Sequence, residues 1–318
     1  MNTPKKLSIR SSAGTVALVL LTGSMPGLAV EATPAEIPIV DTHTHFYDPS
    51  RPEGVPWPGK GSPLFRTVLP GDFRALKKFR PVRGTVVVEA SKWVEDNAWL
   101  LALGESEPQI LGIVGNLNPL APSFAADLAR FSANPLFRGI RVSEQSLETV
   151  LNRGELQELS LLAERKLTLD VIGGPSMPAL AAKVARRMPH LTLVLDHMGG
   201  VPITESPLPS EWVEGIRAAG ACGNVYCKVS GMMESAAVSG KRPAPRDPAF
   251  YRPYLDAVWQ AFGTDRVLYG SNWPVCELGA DYETVQRLAI EYANEKGPDA
   301  VAKFCSGNSQ RAYRWADR

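Results

Sequence analysis

The stretch Ile37-Pro38-Ile39-Val40-Asp41-Thr42-His43-Thr44-His45 reads as an apolar strand that runs into a polar, histidine-bearing edge. Strand side chains alternate faces with period two. Asp41, His43 and His45 are therefore expected on one side, at the strand's carboxyl end. Two imidazoles and a carboxylate on one face suit a metal site or an acid/base cluster. A His-x-His taken alone is more often an inert, hydrogen-bonded strand end. The chain has four histidines and two of them are here, so the weight shifts according to where the other two fall.

Downstream, apolar strand candidates alternate with amphipathic helix candidates to the end of the chain. With a first strand at 37–42, further strands are expected at 84–90, 110–115, 137–142, 167–172, 191–196, 224–229 and 266–271. Helices are expected near 71–79, 95–104, 122–132, 154–165, 176–188, 209–219, 249–262, 281–295 and 298–305. Eight such units with short apolar strands imply parallel pairing and right-handed crossovers. The expected fold is α/β, a (β/α)8 barrel of the TIM type, with an open doubly wound sheet as runner-up. No G-x-G-x-x-G follows the first strand, which lowers the open-sheet option. The Pro/Gly-rich stretch 46–69 is long for a connection and is expected to act as a lid or binding loop, with Trp57 and Phe65 packing it down.

A formal charge of +1 and the lack of a basic stripe argue against nucleic acid as partner. The four cysteines show no C-x-x-C and are expected to be buried free thiols. Residues 1–29 carry Lys5, Lys6 and Arg10, then the apolar run Ala13–Leu21, then small residues around Ala29. This is a signal-peptide pattern, too short to span a bilayer. Cleavage there removes three basic residues and no acidic one, leaving 31 against 33. An exported protein is expected, secreted or periplasmic and free of the membrane after cleavage, with residues 30–36 as a flexible leader and 37–318 as one barrel domain.

In such barrels catalytic groups stand at the carboxyl ends of strands. Those ends offer Glu89 on strand two, Arg141 on strand four, Asp196-His197 on strand six, Lys228 and Ser230 on strand seven, and Ser271-Asn272-Trp273 on strand eight. Three of the four histidines thus fall at expected carboxyl ends, while His190 precedes strand six at the opposite end. Arg141 and Lys228 supply positive charge suited to a substrate carboxylate or an oxyanion. The plainer reading of both is a salt bridge inside the barrel, with Glu89 or Asp41.

With these residues assembled, the chain resembles the amidohydrolase superfamily, and within it the amidohydrolase-related group that includes sugar-acid and pyrone-dicarboxylate lactonases. The carrying stretches are VDTHTHFYDP at 40–49, GNLNP at 115–119, GIR at 139–141, LVLDHMGG at 193–200, KVSG at 228–231, YGSNWPV at 269–275 and GNSQRAYRW at 307–315. The resemblance implies a distorted barrel hydrolase. His43, His45, His197, Asn272 and Asp196 would be its catalytic candidates, and Arg141, Lys228, Trp273 and Tyr47 its substrate contacts. It implies a site for one divalent ion, Zn²⁺ or Mn²⁺, on His43, His45, Glu89 and His197, while metal-free hydrolysis stays open. Asn272 stands where the family often has an aspartate, and strand five ends in Ile172-Gly173-Gly174 without the histidine many members place there. The expected reaction is opening of an anionic lactone by an activated water. A decarboxylase of similar fold and a non-catalytic binding barrel are the alternatives, and the oligomeric state is left open.

Overall fold

The structure is a computed structural model, and it describes residues 1–3, 37–154, 156–239, 243–315 and 318. Most of the expected signal peptide and all of the expected leader 30–36 lie outside the described residues. No helix among the described residues is long and apolar enough to cross a membrane.

Eight strands form one sheet in chain order: β1 (Ile39–Thr44), β2 (Val82–Val88), β3 (Ile110–Gly115), β4 (Phe137–Ser143), β5 (Thr168–Ile172), β6 (Thr192–Leu195), β7 (Val225–Val229) and β8 (Val267–Tyr269). Each pairs its successor in parallel. The ring is closed by the segment that follows β8. Asn272 N–H donates to His43 O at 2.8 Å, and His45 N–H donates to Trp273 O at 2.8 Å. This junction brings the ends of β1 and β8 into one site.

Alternation sorts the apolar side chains into two layers. Ile39, Val87, Ile113, Leu169, Leu193 and Val229 face outward into the core shared with the helices. Val40, Val86, Val88, Val114, Val194 and Leu268 fill the barrel, and Tyr313 and Trp315 from the C-terminal segment pack against them. The four cysteines are buried free thiols.

The chain departs from the expected elements after β4 and after β7. Two helices stand where one was expected: Glu144–Arg153 and Leu156–Glu164. The first is capped by Ser143, whose hydroxyl accepts from Ser146 N–H, and ends at Gly154 in the left-handed region. A further helix, Met232–Val238, follows β7. The stretch 46–69 forms no helix but is tied down, with Tyr47 and Val68 exchanging backbone hydrogen bonds and Phe46, Leu64 and Val68 buried.

Candidate active site

The first strand delivers its histidines through an irregularity. Asp41 pairs with Thr85 of β2 and Thr44 with Val87, so three steps on β1 match two on β2. The extra residue is a bulge, and it switches the parity of everything after it. Asp41 therefore faces the helix layer, not the side that His43 and His45 share. There its Oδ1 accepts from the backbone N–H of His43 (3.1 Å) and Ser271 (2.9 Å), and its Oδ2 from the Tyr282 hydroxyl (3.0 Å). Burial pushes the Asp41 carboxyl up, against those hydrogen bonds. It ties the segment after β8 onto β1 and takes no direct part in the site.

Beneath the pocket lies a buried charge network. Lys228 on β7 donates to Asp170 Oδ2 on β5 at 2.7 Å and lies 3.0 Å from Asp196 Oδ1 at the end of β6. All three side chains are fully buried. Tyr313 adds a hydroxyl to Asp170 Oδ2 at 2.7 Å, and Thr168 adds one to Oδ1 at 2.9 Å. One ammonium thus serves two carboxylates. Burial raises both, but at Asp196 Lys228, His43 and His197 together outweigh it, and the carboxyl is held well below the usual carboxylate range. Asp170 is pushed up by burial, with Lys228 opposing and the Asp196 charge adding to the rise. Burial also drives His43 well below its usual value, so its imidazole is neutral. His43 Nδ1 stands 3.4 Å from both Asp196 Oδ1 and Lys228 Nζ, and the tautomer with its proton on Nδ1 turns that proton to the carboxylate. In that tautomer a lone pair stands on His43 Nε2, a buried atom with no hydrogen-bond partner among the described residues.

His197 follows β6 with φ 52°, and Asn272 follows β8 with φ 61°. Left-handed backbone at two non-glycine residues of one pocket is strain of the kind that collects at functional sites. Ser230 Oγ lies 3.0 Å from His197 Nδ1, and burial lowers this imidazole to about 4. Gly231, next to Ser230, has φ +74°, and a Cβ there would sit 2.8–2.9 Å from the His197 side chain. Only glycine lets β7 end so close beneath that imidazole.

His45 is held at both ring nitrogens. Nδ1 lies 2.9 Å from Val88 O, so it must carry the proton, and Nε2 lies 3.2 Å from the Asn272 side-chain amide. The other end of that amide meets Glu234 Oε1, on the helix Met232–Val238. Two arrangements satisfy this row. One has an imidazolium and a carboxylate. The other has neutral His45, the amide turned so that its NH₂ faces Nε2, and a protonated Glu234 donating to the amide oxygen. Burial brings His45 down to about 3 and Glu234 up to about 7, which selects the second below neutral pH.

A consequence for stability follows, with its sign fixed by the raised Glu234. A carboxyl whose folded pKa lies above its unfolded value supports the fold at low pH and loses that support as pH rises through the window from about 4.5 to about 7. Glu234→Gln, neutral throughout, is expected to gain on the wild type by about 2 kcal/mol between pH 5 and pH 8. Urea unfolding at the two pH values checks this. Parallel curves for the two proteins would mean that Glu234 is not protonated in the fold.

The pocket over this floor has a cavity volume of about 270 Å³ and is lined by His45, Trp57, Glu89, Ala90, Arg141, Ile172, His197, Asn272 and Val275. Arg141 is clamped to Glu89: Nε donates to Oε1 at 2.9 Å and Nη2 to the backbone oxygen at 2.7 Å. Its Nη1 stands 3.6 Å from Asp196 Oδ2. Against burial, Glu89 and Asp196 hold the guanidinium charged.

The structure thus brings His43, His45, Asp196, His197, Asn272 and Arg141 together. It removes three expected substrate contacts. Trp273 is fully buried against Phe46 and Phe73, with its indole N–H on Glu277. Tyr47 gives its hydroxyl to Leu64 O and faces a neighbouring cleft. Lys228 is sealed beneath the floor, in the barrel salt bridge that was its plainer reading. The expected metal set also changes. Among the described residues, the donors that converge are His43, Asp196 and His197, all within 4.8 Å of one another. His45 spends both nitrogens on Val88 and Asn272, and Glu89 is spent on Arg141. The orphaned His43 Nε2 and the His/Asp/His chemistry fit a divalent ion. Sequence reading missed Asp170, Tyr313 and Glu234. Only Asp170 left a signal, as an acidic residue inside the otherwise apolar run Leu167–Ile172.

A family model described as amidohydrolase matches residues 40–315. An L-fucono-1,5-lactonase of Burkholderia ambifaria is 31% identical over 284 residues, covering 86% of this chain and 95% of that protein. An L-fucono-1,5-lactonase of Burkholderia multivorans is 29% identical over 285 residues, with the same coverage of 86% and 95%. Among solved structures, an amidohydrolase from Burkholderia multivorans with bound zinc matches with a TM-score of 0.79 and 27% identity, over 88% of this chain and all of that one. A probable 2-pyrone-4,6-dicarboxylic acid hydrolase from Acinetobacter baumannii, with citric acid bound, shares the fold at a TM-score of 0.69 and 14% identity, covering 87% of this chain and 99% of that one.

Proposed function

The chain belongs to the amidohydrolase family, and from that premise we propose that it opens the ring ester of a sugar-acid lactone with water. The observation that carries this reading is the Asp196–His43 pair under the pocket, with a buried His43 Nε2 that has no hydrogen-bond partner among the described residues. A carboxylate behind an imidazole fixes its tautomer and stabilises the imidazolium it becomes. Two relatives that are L-fucono-1,5-lactonases support the substrate class.

In this reading the lactone lies in the 270 Å³ cavity with its carbonyl toward Arg141 and His197. His43 Nε2 takes a proton as water attacks the carbonyl carbon. The negative charge that builds on the carbonyl oxygen is met by the Arg141 guanidinium, already aimed by Glu89 and Asp196. The ring C–O bond then breaks, the alkoxide recovers the proton, and an open-chain hydroxy acid leaves. Asn272 and His45 hold the wall of the pocket in one hydrogen-bonded arrangement, and Trp57 offers an apolar ring face to the sugar. A divalent ion, when bound, would sit on His43, Asp196 and His197, taking the His43 lone pair in place of the proton, and would supply carbonyl polarisation and a water of lowered pKa.

The test is turnover of five- and six-membered sugar-acid lactones by the purified protein, followed as acid release, after chelation and with Zn²⁺ or Mn²⁺ added. Ring opening without release of carbon dioxide is expected. No turnover of any lactone under any metal condition would end this reading.

A further inference from the structure

The Glu89–Arg141 pair has a cavity on each side. Beyond it lies a second cavity of about 230 Å³, which shares Glu89, Arg141 and Ile172 as its wall with the first. Its other polar lining comes from Asn116, Asn118, Ser143 and Ser146, so it is built largely by the end of β3 and the end of β4.

The segment that carries the two asparagines is rigid. Asn97, buried on the helix Asp96–Ser106, accepts from Asn116 N–H at 2.9 Å and donates to Asn116 O at 2.9 Å. A Cβ on Gly115 would stand 2.3 Å from the oxygen of that same Asn97 amide, so the close clamp requires glycine there. Asn118 uses its side-chain oxygen to cap Leu120 N–H at 3.0 Å. Its NH₂ group, and the whole Asn116 side-chain amide, have no hydrogen-bond partner among the described residues. The GNLNP stretch therefore fixes its backbone from behind and presents amides to the cavity.

The charges around this cavity are already spent. Arg141 is neutralised by Glu89, and the nearby Glu144 carboxylate is held by Gly174 N–H and the Ser176 hydroxyl. What remains is amide and hydroxyl, with Pro119 and Ile172 as apolar surface. This lining suits the hydroxyls and C–H faces of a neutral sugar ring, and it offers a second anion no counter-charge. Size points the same way. At roughly 10–15 Å³ of such volume per water-sized position, the first cavity alone accommodates a monosaccharide lactone of about a dozen non-hydrogen atoms. The second, nearly as large, would be left to water.

We propose that the Asn116–Asn118–Ser143–Ser146 cavity is a subsite for a second sugar ring, so that this enzyme acts on lactones of disaccharide acids. The proposal rests on the lactonase reading above, and the experiment separates the two. Steady-state kinetics would compare D-glucono-1,5-lactone with cellobiono-1,5-lactone, for the wild type and for the Asn116→Ala/Asn118→Ala variant, with thermal melting as a check on folding. The wild type is expected to show kcat/KM for the disaccharide lactone about tenfold or more above the monosaccharide lactone, mostly through KM. The variant is expected to lose about tenfold in that ratio, the worth of one or two neutral hydrogen bonds. Equal kcat/KM for the two lactones in the wild type, or an equal loss on both in the variant, would overturn the subsite. If neither of these two lactones turns over, the reaction reading is left to the wider lactone panel above, and calorimetry with cellobionate against gluconate still reads the subsite: tighter cellobionate binding supports it, and equal or no binding overturns it.

Discussion

Asp196→Asn is expected to lower kcat for lactone opening by about 10³–10⁴ while the protein remains folded. Asp196 is a fully buried carboxylate held ionised by the Lys228 ammonium, and it faces His43 Nδ1 at 3.4 Å. The amide has nearly the same shape but no charge. It can present its NH₂ to the imidazole and so turn the His43 tautomer over, placing a proton on Nε2 where the lone pair is needed. It also cannot stabilise the imidazolium formed when water gives up its proton. The loss should fall on kcat more than on KM, because Asp196 lies beneath the pocket and not on its lining. Steady-state kinetics on the lactone that the wild type turns over fastest would check this. A loss below about tenfold would mean that the His43–Asp196 pair is not the proton acceptor.

Lys228→Met is expected to cost about 3–5 kcal/mol of stability, the usual cost of removing one partner from a buried ion pair. Lys228 is fully buried between Asp170 at 2.7 Å and Asp196 at 3.0 Å. Methionine fills much of the stem's volume, so the cost comes from two carboxylates left without their counter-charge. Asp170 is the one that yields. It is already pushed up by burial and by Asp196, and without Lys228 it would take a proton. Asp170→Asn in the same chain is therefore expected to recover part of the loss. Urea denaturation of the single and double variants gives the coupling directly. Additive losses would show that Asp170 and Lys228 do not depend on each other.

The architecture was legible because it rests on periodicity. Eight apolar runs of strand length, each followed by a helix-length amphipathic stretch, have few ways to bury their faces other than a parallel barrel. The helix Glu144–Arg153 was missed although Ser143 and Gly154 mark both ends, because the charged residues between them mask its short apolar stripe. The helix Met232–Val238 was missed because it is buried nearly all round, so its sequence shows no polar face to set a period.

The composition of the site was largely readable as well. Barrel catalysis collects at strand ends, and the chain's scarce histidines stand there. Roles were harder. Alternation assigned Asp41 to the same face as His43, and a one-residue bulge reversed it. Lys228 and Arg141 looked alike as cations at strand ends, yet one is sealed under the floor and the other lines the pocket. Trp273 looked like a substrate contact and is core.

The sequence by itself determined the barrel, and it placed His43, His45, Asp196, His197 and Asn272 at one end of it, since these follow from spacing along single strands. Only the tertiary structure decided which charges meet: Asp170 with Lys228 across 58 positions, Glu234 with Asn272 across 38, and Tyr313 with Asp170 across 143. Burial and a partner's charge shift protonation over only a few ångströms. Which groups come that close is set by closure of the ring, a property of the whole chain that no local pattern encodes.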